Sequence, residues 1–111
     1  MDEIITTMID KKNRPIDIGG EGENIIAEYH GDEIGRFVFD DNGKRFLAHM
    51  HMDDDYQRCG IGVEMIKLAE NWYDDFNIVD TLTDDGAAFV NYCKDNNIFK
   101  FTHELTHDDR Y

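Results

Sequence analysis

A chain of 111 residues with 41% hydrophobic and 12% aromatic side chains has the composition of one folded domain, too apolar for a disordered segment and too short for two cores. Its formal net charge of −14 repels DNA, RNA and anionic membranes and favours amines, polyamines or basic proteins as partners. The acidic start MDEIITTMIDKK is unlike a secretory signal, no apolar run reaches membrane-spanning length, and two cysteines without metal or redox spacing fit a reduced, cytoplasmic compartment.

In chain order, EIITTMI (3–9) has the β-branched content of a strand. NRPIDIGGEGEN (13–24), with the only proline and three glycines, reads as a loop. Three strand-like runs follow at 24–30, 33–40 and 45–52, separated by Gly31-Asp32 and by Asp41-Asn42-Gly43. Asn42-Gly43 is a hairpin signal, because both residues tolerate the positive φ of a tight primed turn. The period then changes. Ile61, Met65, Leu68, Trp72 and Phe76 recur at helical spacing, which predicts a helix over 61–75. A short strand is expected at 78–82 and a second helix over 84–97, ended by two asparagines suited to the left-handed position after a helix. IFKFTHELT (98–106) closes the series as a strand.

HELTH (103–107) spells the pattern of zinc hydrolases. A zinc site needs both histidines on one helix face, about 6 Å apart. Here Phe99, Phe101, His103 and Leu105 alternate with Lys100, Thr102, Glu104 and Thr106, the pattern of a strand, in which His103 and His107 would stand roughly 13 Å apart. The expected metal complement is therefore none. His49, His51 and Asp53 share one strand face but read as polar surface. The calcium-loop outline from Asp53 to Glu64 fails at Arg58, where that loop requires glycine.

QRCGIG (57–62) joins the 45–52 strand to the first helix. Gly60 and Gly62 allow a tight turn, leaving the amides of Arg58, Cys59, Gly60, Ile61, Gly62 and Val63 facing outward at a helix N-terminus. Such a nest binds phosphate with little help from basic side chains, and Arg58 is the cation in place.

MDDDYQRCGIGVEMIKLAE (52–70) resembles the signature of the GNAT superfamily of N-acetyltransferases. Gln57, Gly60 and Gly62 fit its coenzyme A loop, Arg/Gln-x-x-Gly-x-Gly/Ala. Met52-Asp53-Asp54-Asp55-Tyr56 fits the lead-in, and Ala88 and Tyr92 fit the later helix. The chain departs at Asp84 or Asp85, where the family has an asparagine, at Asn97-Ile98, where it has Gly-Phe, and at the N-terminus, where it has two helices. The resemblance implies an α/β (α+β) fold of residues 1–111, with a mixed, mainly antiparallel sheet splayed in a V and flanked by helices. It implies acetyl-CoA as co-substrate, held by Gln57 to Val63, by the backbone of Met50 and Met52 beside pantetheine, and by Asp85. Tyr92 is the implied acid for the thiolate. Asp80 is the implied base, with His49 and Glu28 in reserve. The expected activity is acetyl transfer to a primary amine, on a polyamine or a basic protein. A different class of reading is a non-catalytic acidic module of the same fold that binds a basic protein.

Overall fold

The computed structural model describes residues 1–41, 45–73, 76–79, 84–98 and 105–106. Strands β1 (Glu3–Ile9), β2 (Pro15–Glu21), β3 (Asn24–Tyr29), β4 (Asp32–Asp41) and β5 (Arg45–Met52) form an antiparallel meander in which each pairs with the next. After β5 the connections change character. Helix α1 (Ile61–Trp72) leads to β6 (Asn77–Val79), which lies parallel to β5. Helix α2 (Asp84–Asp95) leads to β7 (Leu105–Thr106), parallel to β6. The protein is thus a mixed α+β fold: a five-stranded antiparallel sheet extended by two crossover units, the arrangement that parallel neighbours require.

The core comes from alternate strand residues and one helix face. Ile16, Ile18, Ile25, Ala27, Phe37, Phe39 and Leu47 pack with Ile61, Met65, Ile66 and Ala69 of α1. Phe76, the last of the helically spaced residues, follows the end of α1 and lies edge-on to Phe39 at 5.4 Å. Trp72, expected on the inner face, is partly exposed, its ring lying over the backbone of β2 at Gly20.

The stretch 13–24 is not a loop. Ile16 and Ile18 are fully buried, and Pro15 to Glu21 form β2 between β1 and β3. Pro15 is the first residue of the strand, where its missing N–H is tolerated. Gly20 is glycine because a Cβ there would stand 2.5 Å from the Trp72 ring.

The turn between β3 and β4 is His30-Gly31, with φ of 49° and 84°, the pair of positive values that a primed two-residue hairpin demands. The predicted turn at Asn42-Gly43 lies outside the described residues. At the end of α2 the asparagine expectation holds. Asn97 takes φ 53°, its N–H donates to Lys94 O at 3.3 Å, and Ile98 N–H donates to Cys93 O at 2.9 Å. These are the two bonds of a Schellman stop. Both helices are shorter than expected, α1 ending at Trp72 and α2 at Asp95. Of the predicted strands at 78–82 and 98–106, residues 77–79 and 105–106 are seen as β6 and β7. His103, Glu104 and His107 lie outside the described residues.

Candidate functional site

The first crossover fixes the position of the glycine loop. A parallel β-helix-β unit sets the helix N-terminus beside the carboxyl end of its first strand, where open α/β sheets receive ligands. Here that strand is β5. A 3₁₀ turn over Asp54–Tyr56 and an extended Gln57 lead to Arg58, whose φ is 58°. This left-handed conformation costs a residue with a side chain about 1 kcal/mol, and it leaves Arg58 exposed. Gly60 caps α1 with φ 87° and no side-chain hydrogen bond. Among the described residues, the amides of Ile61, Gly62 and Val63 meet no acceptor, as the first amides of a helix do unless capped. Three unengaged amides thus open α1, and the exposed Arg58 precedes them in the same loop.

The two glycines serve different ends. Gly60 supplies the left-handed turn, and a Cβ there would find its nearest atoms at 3.9 and 4.0 Å, in Lys11 and Met8. Gly62 permits close helix packing, since a Cβ would stand 2.9 and 3.1 Å from the Phe89 ring of α2. Gly62→Ala should therefore destabilise the fold by about 1–3 kcal/mol through overpacking. The loss should be largely relieved in the double variant Gly62→Ala/Phe89→Leu, as read from denaturant midpoints. An equal loss in both variants would show that Phe89 is not the obstacle.

Gln57 is committed inward: its amide donates to Met52 O at 3.0 Å and to Asp54 Oδ1 at 3.3 Å, tying the loop to β5. Asp53 N–H donates to Ile34 O at 2.8 Å. With the register Met52↔Gly35 and Met50↔Phe37, antiparallel alternation then turns the backbone groups of Met50 and Met52 away from β4. They face the side on which β6 lies, and among the described residues of β5 it is Phe46 and Leu47 that pair with β6. A β-bulge at Ala48 separates that paired stretch from Met50 and Met52, and bulges bend a strand and end its pairing. Beyond Leu47, among the described residues, this edge of β5 is open.

A cavity of about 340 Å³ adjoins the loop, lined by Cys59, Gly60, Val63 and Glu64, by Met8 to Lys11 at the end of β1, and by Tyr92 and Ile98. Tyr92, 49% exposed, is thus a wall of the cavity and not a residue packed on the sheet. Met50 and Met52 do not line it. Asp85 is exposed in the first turn of α2, and Asp80 lies outside the described residues. Glu28 stands on β3, 3.6 Å from the Met1 amino group, and His49 is exposed on β5. His51 and Asp53 contact each other at 2.8 Å on the surface, and among the described residues no group of three or more His, Cys, Asp or Glu is arranged to hold a metal.

Sequence reasoning missed the other wall. The turn after β1 folds over the loop: Lys11 N–H donates to Cys59 O at 3.2 Å. The turn is held by Asp10, whose carboxylate accepts from the amides of Lys12 and Arg14, both at 2.9 Å, and from Arg14 Nε at 2.8 Å. Arg14 reaches on to Asp55 O at 2.9 Å, Cys59 Sγ at 3.6 Å and the face of Tyr56 at 3.9 Å. Burial alone would raise the Asp10 pKa, but these donors hold it below the ordinary carboxylate value. DKKNR (10–14) looks like a solvated charge run; the tied turn is begun by the Asp10 carboxylate accepting from the backbone two residues on, at Lys12.

No protein-family model, curated protein or solved structure matches the chain.

Proposed function

We propose that the chain is an N-acetyltransferase of GNAT-like architecture, moving acetyl from acetyl-CoA to a primary amine of a cationic acceptor, a polyamine or the lysine or N-terminus of a basic protein. The observation that carries the reading is a juxtaposition. The unengaged amides that open α1 follow the open edge of β5 through the loop 53–60, and Tyr92 shares a cavity with Gly60.

Acetyl-CoA supplies an acyl group already activated as a thioester. The chain's own task is to hold it, to bring up a neutral amine and to move protons. The amides of Ile61 to Val63, with Arg58, receive the pyrophosphate. The outward backbone of Met50 offers hydrogen bonds to the pantetheine arm, whereas the Met52 carbonyl already serves Gln57. As the new C–N bond forms and the C–S bond breaks, the amine proton passes to a base, assigned to Asp80. The sulfur takes the hydroxyl proton of Tyr92. The acidic surface draws cationic acceptors and opposes the anionic donor, which places the burden of donor binding on the loop.

Calorimetric titration with acetyl-CoA tests the reading. Saturable binding is expected, weakened about tenfold or more in Arg58→Glu, which exchanges a charge-assisted contact for repulsion. Absence of binding at millimolar acetyl-CoA would sink it. The net charge of −14 favours one alternative, an acidic module for a basic protein. Binding of lysine-rich peptides without release of free thiol from acetyl-CoA would select that reading.

A further inference from the structure

β1 is the edge of the sheet. It pairs with β2 on one side and, among the described residues, with nothing on the other. Six of its seven residues are exposed, among them Ile4, Ile5 and Ile9 at 57%, 41% and 62%. Proteins guard such edges with proline, lysine, bulges or a covering segment. EIITTMI holds neither proline nor lysine, and Glu3 is its single charge. A bulge at Ile5 leaves Thr6 to Ile9 as the regular stretch.

Which backbone groups face outward follows from the closed end of the hairpin. Asp10 N–H donates to Arg14 O at 3.0 Å. Ile9 stands opposite Pro15, which has no N–H to give, and Met8 opposite Ile16. Antiparallel alternation then turns the groups of Met8 toward β2 and those of Ile9 and Thr7 away from it. The exposed rim is a row of hydrogen-bonding groups with apolar side chains beside it.

The charges at its ends select the occupant. The strand is preceded by Asp2 and begins with Glu3, and it is followed closely by Lys11 and Lys12. A second copy laid antiparallel brings the acidic start of each strand, Asp2 and Glu3, to the far end of the other, where the turn carries Lys11 and Lys12. The two-fold axis makes this approach twice. A parallel copy instead stacks Glu3 on Glu3. Opposite charges favour the antiparallel arrangement, and like charges oppose the parallel one.

We propose that β1 is a homodimerisation edge: two copies join through antiparallel β1–β1 pairing of the outward groups of Thr7 and Ile9, continuing one sheet across the two-fold axis. The proposal is independent of the acyl-transfer reading. Sedimentation across a concentration series should show a species of twice the 13.0 kDa chain mass. Thr7→Pro removes an outward donor while sparing the β1–β2 ladder, and should sediment as monomer with an unchanged circular dichroism spectrum. Glu3→Lys alone and Lys11→Glu alone each place like charges together twice and should weaken the dimer at least tenfold. An equimolar mixture of those two variants restores both pairs and should recover the dimer, whether or not the proline variant folds. A wild type that stays at 13.0 kDa throughout overturns the proposal and leaves the edge to another chain's strand. Dimers indifferent to the charge reversals overturn it equally.

Discussion

Replacing Asp10 with alanine should cost about 3 kcal/mol of folding stability, the usual result of leaving one partner of a buried ion pair alone. That is a large part of the 5–15 kcal/mol typical of a domain. The carboxylate is 0% exposed and joins two backbone amides to Arg14. Its loss frees the whole turn that lies over Cys59. Because the folded pKa of Asp10 lies below its ordinary 3.8, the stabilisation is fully present above that value and disappears as pH falls through the folded one. Denaturant titrations at pH 7 and in acid below the folded pKa should therefore show the variant's deficit shrinking at low pH. A deficit equal at both pH values would mean that the charge is not what Asp10 contributes.

Tyr92→Phe should lower acetyl transfer by roughly 10²- to 10⁴-fold, the worth of a positioned proton donor. Affinity for acetyl-CoA should stay nearly the same, since the ring keeps its place on the cavity wall. Tyr92 is half exposed, so loss of its hydroxyl should change stability by no more than about 0.5 kcal/mol. The assay pairs acetyl-CoA with polyamines and lysine-rich peptides and counts the thiol released. Full activity in the phenylalanine variant would leave the transferase reading standing and remove Tyr92 as its acid.

Where local chemistry alone decides conformation, the sequence could be read directly. The helical spacing from Ile61 to Trp72 produced α1, and the asparagines at 96 and 97 produced the stop after α2. The glycine loop was legible for the same reason, because a left-handed cap before an apolar helix is written in adjacent residues. Tertiary reasons were harder to see. Pro15 and Gly20 punctuate like a loop, yet one opens a strand opposite Ile9 and the other makes room for an indole more than fifty positions away. Gly62 looked like part of a phosphate cradle, and its missing Cβ is required by Phe89. The Asp10–Arg14 wall escaped notice because a tied turn and a solvated charge run share a composition until burial separates them.

The contact between Trp72 and Gly20 also gives the molecule an optical gauge. Trp72 is the single tryptophan of the chain, its ring pressed on the backbone of β2 and edge-on to Tyr73 at 6.2 Å. It stands eleven residues along α1 from Ile61, about 16 Å at the helical rise. Its emission therefore responds to the seating of the far end of the helix on the sheet, and hardly to what occupies the glycine loop. Undocking of α1 and filling of the loop are thus separable by colour within the unlabelled protein.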